Sequence, residues 1–334
     1  MPDIGIVVGG HMNLIADLAQ VAEQGGYESI WVAETANTPF VQAAVACTAT
    51  SRVKVGTAIA LAFPRSPTVT AATARDLQEL SGGRFMLGLG SQVKRVNQQR
   101  FGVPFEHPAP KMAEYAQVVR EVLATFDGEK VDHRGRFYEI TMNPFPGASA
   151  VPEIPLYLAA VNRKMIETAG AAYDGVLGHP LTSPKYVAEV VRPAVERGAT
   201  VAGRDPSAVS VSNNVIMQVN DDLDAARRQA AYQIAFYGTT RTYKPVLALH
   251  GFDDRVGDLR AAHAAGDLER MADIALPMVD TFAICGTVDA CREQLEAFDG
   301  IVDRIILGGA WVGPDQGSIV ENYRRILTEF RPGG

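Results

Sequence analysis

The chain has only three cysteines among its 334 residues, and none of them belongs to a C-x-x-C pair. Cys47, Cys285 and Cys291 cannot all pair with one another, which argues against a framework of disulfide bonds. We therefore expect reduced, buried thiols in a cytoplasmic protein.

The sequence also lacks concentrated positive charge and long apolar runs. The net charge is −7 and the pI is about 5.5, which argues against nucleic acid or an anionic membrane surface as a partner. No apolar run approaches the length of a membrane-spanning helix. The first run, DIGIVVGG, has neither the basic lead nor the cleavage site of a signal peptide.

Familiar motifs for nucleophiles and metals are missing as well. No G-x-S-x-G sequence is present, and no serine stands beside an obvious base. The six histidines lack H-x-x-x-H or H-x-H spacing, so we expect no metal site.

Eight short apolar runs are present, and a segment with helical periodicity follows most of them. They are IGIVVGG (4–10), SIWVAE (29–34), VKVGTAIAL (53–61), RFMLGLG (84–90), PLYLAAV (155–161), DGVLGHP (174–180), VSVSNNVIMQV (209–219) and RIILGG (304–309). Runs that are apolar on both faces are typical of parallel strands covered by helices. Four helix starts are marked by a capping side chain before a proline: Thr38-Pro39, Ser66-Pro67, Ser183-Pro184 and Asp205-Pro206.

This alternation predicts one α/β domain over residues 1–334, a (β/α)₈ TIM barrel. An open doubly wound sheet is the alternative, but it leaves the eighth run and a C-terminal helix at 316–329 without a place. Three connections are longer than a barrel needs, at 91–110, 127–154 and 238–282. We expect these insertions at the C-terminal face, as lids or substrate walls.

The stretch LGLGSQV resembles a dinucleotide-binding turn but fails in detail. The third glycine of that fingerprint would stand at position 93, where the sequence has Val93. Small residues end most of the strands, which leaves room for a flat ring at the barrel mouth. We interpret the turn at Gly88–Gly90 as a place where a planar cofactor lies against backbone. The alternative is that these glycines only form tight turns.

Two further features point to a site at the strand ends. The predicted helix after LAAVN begins with Arg163 and Lys164, so free N–H groups and two cations form a candidate phosphate site. Solvated basic side chains on an outer helix are the alternative. Glu34 follows the second strand, and its carboxylate should face the mouth. His11 and His179 also fall at strand ends, where either could act as acid or base.

The blocks VGTAIALAFPRSP, TARDLQELSGGRFMLGLGSQVKRVNQQRFG and LAAV…AGAAYDGVLGHP, with MAEY between them, resemble the bacterial-luciferase-like monooxygenase superfamily. The segment IAFYGTTRTYKPVLALHG (234–251) is similar to an insertion of its actinobacterial branch of oxidoreductases that depend on coenzyme F420, a deazaflavin. The resemblance covers residues 4–330. It implies a barrel with a deazaflavin or FMN across the strand ends, and a homodimer.

The resemblance also implies roles for individual residues. Ala58–Ile59 occupies a bulge that in relatives contains a non-proline cis peptide pressed against the ring. Glu34 is placed beside the ring. The remaining positions implied to contact the ring or its phosphate are Gly90, Ser91, Gln92, Ala159, Ala160, Val161 and Asn162.

One departure affects the expected chemistry. Deazaflavin-dependent sugar and alcohol dehydrogenases of the superfamily carry Asp-His after strand two, where this chain has Glu34-Thr35. Thr35 cannot accept a proton at neutral pH, so the acid or base is expected to be Glu34, His11 or His179; the alternative is hydride transfer with a substrate that needs little proton transfer. A structural carboxylate that caps the turn around Asn37 is the alternative for Glu34.

The expected function is hydride transfer between coenzyme F420 and a small organic substrate. The alternatives are an FMN-dependent monooxygenase supplied by a separate reductase, and a flavin-binding protein without catalysis. Aromatic residues in the insertions predict an apolar substrate pocket. Its expected contacts are Thr35, Tyr243, His250 and Trp311.

Overall fold

The computed structural model describes residues 2–149, 151–313 and 315–332, and this part of the chain contains twelve strands. They are β1 (Asp3–Val7), β2 (Ser29–Val32), β3 (Lys54–Thr57), β4 (Ala60–Leu61), β5 (Phe85–Gly90), β6 (Val131–Arg134), β7 (Glu139–Met142), β8 (Leu156–Ala159), β9 (Gly175–Gly178), β10 (Ser210–Val219), β11 (Ala283–Gly286) and β12 (Arg304–Gly309).

Eight of these strands close into a parallel barrel in the order β1-β2-β3-β5-β8-β9-β10-β12. The last strand pairs with the first, with Asp3 opposite Arg304 and Ile6 opposite Leu307. Each of the eight apolar runs supplies one barrel strand, so the predicted (β/α)₈ barrel is confirmed. The closure by β12 excludes the open sheet.

Four strands were not predicted from the sequence. The short β4 continues beyond β3 and pairs with β5. β11 pairs with the C-terminal end of β10, which at ten residues is longer than the neighbouring barrel strands. β6 and β7 form an antiparallel hairpin. β4 lies within the predicted run 53–61, which the structure divides in two, whereas β6, β7 and β11 are short segments inside long connections, where periodicity gives little signal.

The helices cover the barrel. They are α1 (Ile15–Gln24), α2 (Pro39–Ala49), α3 (Pro67–Leu80), α4 (Lys94–Arg100), α5 (Pro108–Ala124), α6 (Arg163–Ala172), α7 (Pro184–Tyr186), α8 (Arg192–Val201), α9 (Leu223–Gly238), α10 (Lys244–Ala248), α11 (Val256–Ala264), α12 (Leu268–Ala275), α13 (Val279–Phe282), α14 (Val288–Leu295) and α15 (Gln316–Glu329). Three of the four predicted starts begin helices, at Pro39, Pro67 and Pro184, and the fourth, at Pro206, begins only a three-residue 3-10 turn. The side chains of Ser66, Ser183 and Asp205 cap theirs, whereas the Thr38 side chain makes no capping bond. No helix in the described ranges is long and apolar enough to cross a membrane.

The barrel interior is filled rather than open. Five side chains from different strands form a cluster inside it: Trp31, Met86, Tyr157, Leu177 and Ile306. At the N-terminal end of the barrel, the buried Arg304 guanidinium donates hydrogen bonds to Tyr157 and Ser212. Along the barrel axis, the room for a ligand therefore lies above this cluster, at the C-terminal ends of the strands.

The prediction that all three insertions lie at the C-terminal face is wrong for 127–154. This segment joins α5 to β8, and helix-to-strand connections of a (β/α)₈ barrel lie at the opposite face. Its hairpin then runs back along α5. The carboxylate of Glu114 holds the hairpin by accepting the N–H groups of Arg136, Phe137 and Tyr138.

Candidate functional site

The floor of the mouth consists of half-buried positions in or directly after six barrel strands. Alternation along the strands points them inward, above the interior cluster. They are Val7, Ile59, Ala159, His179, Asn214 and Gly308. Only Ala159 and Gly308 are the small residues that the sequence predicted there; Val7 and Ile59 are larger and apolar, and the polar side chains are His179 and Asn214. Asn214 was missed because it lies within the apolar run 209–219 rather than at its end.

The glycines of the LGLG stretch need a corrected explanation, because Gly88 and Gly90 belong to β5 and are buried. A Cβ at Gly88 would overlap the carbonyl oxygen of Thr57, and one at Gly90 would overlap the Ile59 side chain. Thr57 Oγ1 also donates to the Gly88 carbonyl at 2.7 Å. These glycines therefore let residues 57–59 approach β5, and the space beside them is filled by protein rather than by a ring.

A cis peptide joins Ala58 to Ile59, between β3 and β4. The cis bond implied by the resemblance is therefore present. The Ala58 N–H donates to the Val32 carbonyl at 2.8 Å, and the Glu34 N–H donates to the Ile59 carbonyl at 3.2 Å. These bonds tie the segment to the neighbouring strand β2 and its loop, and the Ile59 side chain remains half-exposed on the floor.

The carboxylate of Glu34 is occupied by protein groups. Arg65 donates to both of its oxygens, from Nη1 at 2.8 Å and from Nη2 at 2.7 Å. The Leu61 N–H donates to Oε2 at 2.8 Å, and Arg65 Nη1 donates to the Leu61 carbonyl at 2.9 Å. The two side chains are 9% and 20% exposed, respectively. These contacts favour a scaffolding role for Glu34, although its partner is Arg65 rather than the turn at Asn37.

The loop after β5 is held in an unusual backbone conformation. Gln92 has φ of 55°, in the left-handed region. The side chain of Asn97, on α4, donates to the Ser91 carbonyl at 2.8 Å and to the Val93 carbonyl at 3.1 Å. Asn97 Oδ1 is buried and has no partner among the described residues. Asn97 thus fixes the expected contacts Ser91 and Gln92, and no sequence pattern pointed to it.

Helix α6 starts at Arg163, as the predicted phosphate site requires. The carbonyl of its N-cap Asn162 accepts the N–H groups of Met165 and Ile166. The N–H groups of Arg163 and Lys164 make no hydrogen bond to other described residues. Ala159, Ala160 and Val161 lead into this turn, and the Val161 carbonyl accepts the Tyr186 hydroxyl at 3.0 Å. A groove of about 670 Å³ opens here, lined by Asn162, Arg163, Lys164, Tyr186, Val190, Pro245, Ala248 and Leu249.

His179 lies under the insertion that follows α9. Its ring stacks on Tyr243 at 4.2 Å between centroids and meets the edge of Tyr237 at 4.4 Å. Nδ1 accepts the Leu181 N–H at 3.1 Å, which places the proton of the neutral ring on Nε2. Burial lowers the pKa of His179 to about 3, so the ring is neutral at physiological pH.

The remaining predicted substrate contacts are spread around the rim. Trp311 is 54% exposed and packs edge-on against Phe236. His250 Nε2 forms a hydrogen bond with Ser183 Oγ at 2.8 Å. Thr35 is exposed, and its carbonyl accepts from Arg100.

The comparisons with known proteins agree with the barrel fold. The model of the luciferase-like monooxygenase family matches residues 5–304. The chain belongs to the luciferase-like monooxygenase family. An uncharacterized protein of Mycobacterium tuberculosis is 38% identical over 302 residues, which cover 87% of this chain and 88% of that protein. The 5,10-methylenetetrahydromethanopterin reductase of Methanolobus tindarius is 32% identical over 310 residues, or 90% of this chain and 91% of the reductase. The structure of coenzyme F420 dependent tetrahydromethanopterin reductase from Methanopyrus kandleri matches with a TM-score of 0.83 and 25% identity, covering 98% of both chains.

Within this luciferase-like barrel, the three expected acid–base residues do not form one constellation. Glu34 is paired with Arg65, His179 packs on two tyrosines, and His11 is exposed at the start of a short helical turn. No group of three or more potential metal ligands is found in the described ranges. Among the described residues, these three candidates therefore do not form an assembled acid–base pair.

Proposed function

We propose that the chain is a coenzyme F420-dependent oxidoreductase, which transfers hydride between the deazaflavin and a small organic substrate. The observation that carries the proposal is one mouth that combines a flat apolar face at Ile59 with an open helix start at α6. The first suits an aromatic ring and the second suits a phosphate. The relatives named as F420-dependent or methylenetetrahydromethanopterin reductases support the choice of deazaflavin.

The residues present fit such a cofactor. Ala58 and Ile59 would support one face of the ring, and the fixed loop of Ser91 and Gln92 would contact its edge, with Gly90 behind Ile59. The turn Ala159, Ala160, Val161 and Asn162 would place its phosphate at the free N–H groups of α6. When bound, the deazaflavin supplies a carbon that gives or accepts hydride and that reacts poorly with oxygen.

His179 is the residue that we assign to the reacting substrate. With its pKa near 3, it does not act as an imidazolium acid at neutral pH. The neutral ring has its proton on Nε2, and that N–H makes no hydrogen bond to other described residues. It can donate a hydrogen bond to a substrate atom that gains negative charge as hydride is transferred. In this assignment Glu34 fixes the segment of Ala58 and Ile59 that supports the ring, and His11 lies at the rim of the mouth.

Tyr243, Trp311, His250 and Thr35 would form the outer substrate wall. Tyr243 contacts His179 directly, His250 is half-buried, and Thr35 and Trp311 are exposed. We also propose that the protein is a cytoplasmic homodimer. Its ligand would be a small molecule, and it would bind neither nucleic acid nor a membrane. Light scattering of the purified protein tests the oligomeric state.

The cofactor assignment is tested by titrating the protein with oxidised F420 and, separately, with FMN. Trp31 is buried below the floor and Trp311 is at the rim, so Trp311→Phe separates the two contributions to tryptophan fluorescence. Saturable quenching by F420 with weaker binding of FMN is expected. Tight FMN binding without F420 binding would favour the monooxygenase. Cofactor binding that excludes every second ligand would favour a protein without catalysis.

A further inference from the structure

The two polar side chains of the mouth floor lie side by side along the barrel, Asn214 in β10 and His179 directly after β9. Strands β9 and β10 pair in parallel with Gly178 opposite Asn213, so the next positions are His179 and Asn214. Leu177 and Ser212, two positions earlier on each strand, both lie inside the barrel. Because side chains alternate along strands, His179 and Asn214 point to the same side as these residues. Adjacent strands lie about 4.8 Å apart, so the two side chains are neighbours.

Asn214 presents an acceptor to the mouth. Its Nδ2 donates to the Gly178 carbonyl at 2.9 Å. A carbonyl oxygen only accepts, so the amide orientation follows from this bond. Oδ1 makes no hydrogen bond to other described residues, and the residue is half-exposed.

His179 presents a donor beside it. The Leu181 N–H occupies Nδ1 at 3.1 Å, so the neutral ring carries its proton on Nε2. Tyr237 and Tyr243 pack against the ring and restrict its rotation. A fixed donor and a fixed acceptor therefore flank the Gly178 carbonyl at the same level of the floor.

This pair lies across the mouth from the cis peptide. In the circular strand order, β10 is four positions from β3, which is half of the barrel. A ring supported by Ile59 therefore turns its other face toward the side of β9 and β10. That face is where a second ligand, the substrate, has access.

We propose that His179 and Asn214 form a donor–acceptor pair for the substrate, and that the substrate presents an acceptor next to a donor, as an amide or lactam edge does. The proposal rests on the proposed function, because it gives the Ile59 side of the mouth to the cofactor. His179 Nε2–H donates to the ligand carbonyl, and the ligand N–H donates to Asn214 Oδ1. A ligand with the carbonyl but without the N–H loses the second bond.

The test uses δ-valerolactam and N-methyl-δ-valerolactam as probes, with affinities from NMR shift titration of the protein with and without F420. We expect the lactam to bind the F420 complex about 10-fold more tightly than its N-methyl analogue, the ratio for one hydrogen bond. Asn214→Leu, which is close in volume, should abolish this ratio. Asn214→Ser is the second variant, since its shorter side chain cannot hold the same position. F420 affinity should change less than about 2-fold in either variant, well below the effect of one lost bond.

The matched control is Asn37→Leu. Asn37 Nδ2 also donates to a glycine carbonyl, that of Gly10 at 3.0 Å, but it lies in the loop after β2. The control should keep the 10-fold ratio.

A ratio near one in the wild type, or a ratio that survives in both Asn214 variants, overturns the proposal. A loss of F420 affinity of about 10-fold in those variants also overturns it, and assigns the pair to the cofactor ring. If the wild type does not bind F420, the proposed function fails, whereas the lactam ratio without cofactor still tests the pair.

Discussion

Replacing Glu34 with Gln separates a scaffolding carboxylate from a catalytic one. Gln keeps the shape, but one oxygen becomes an amide that faces a donor, and Arg65 loses its counter-charge. Three hydrogen bonds end on this carboxylate, and its side chain is 9% exposed. Loss of one partner of a buried pair costs about 3–5 kcal/mol, and the 20% exposure of Arg65 lowers this to about 2–3 kcal/mol. At about 2 °C per kcal/mol for a large domain, Tm should fall by roughly 4–6 °C.

The assay is thermal unfolding together with F420 affinity and turnover in the same preparations. The control is Glu321→Gln, because Arg324 also contacts both Glu321 oxygens, at 2.7 and 2.9 Å, but this pair is more than half exposed. No change in Tm is expected there. Cofactor affinity should weaken in Glu34→Gln because residues 58–65 are less firmly held. An unchanged Tm and affinity with turnover reduced about 100-fold would refute this reasoning and return Glu34 to acid–base chemistry.

Three further outcomes follow from the contacts. The Gly88→Ala variant should lose most of its stability, because the new Cβ would overlap the Thr57 carbonyl. The Gly9→Ala variant should melt like the wild type, because a Cβ at that position has no atom within 4 Å. Thermal unfolding of both variants checks this. The pKa of His179 is lowered by burial to about 3, so between about pH 6.5 and pH 3 the unfolded chain binds more protons and stability falls on acidification. Urea titrations at pH values from 7 to 4 give the free energy of unfolding as a function of pH. Its slope against pH should be shallower in His179→Gln than in the wild type by up to about 1.4 kcal/mol per pH unit, and an unchanged slope would contradict the burial. Lys164→Gln should weaken F420 binding severalfold at low salt and little at about 1 M salt, where charges are screened; equal loss at both would exclude an electrostatic role.

Patterns along the chain were sufficient for the barrel and for the start of α6. Few folds bury both faces of eight apolar strands that are separated by helices, and a closed parallel barrel is one of these folds. The turn before Arg163 could be predicted because a helix start is a local feature. The cis peptide at Ala58–Ile59 came from the resemblance, since nothing in the local residue types indicates it.

Other features depended on which residues the closed barrel brings together. Glu34 and Arg65 are 31 positions apart, and no local pattern pairs them. Gly88 suggested a ligand, but strand pairing places the Thr57 carbonyl there.

In the sequence, Asn214 belongs to a mostly apolar run. Only the register of β9 with β10 places its amide in the mouth beside His179. The sequence by itself determined which segments become strands and helices, because periodicity and capping act over a few residues. The tertiary structure decided which side chains meet at the mouth, because a register shift of one residue would turn each strand's side chains to the other face.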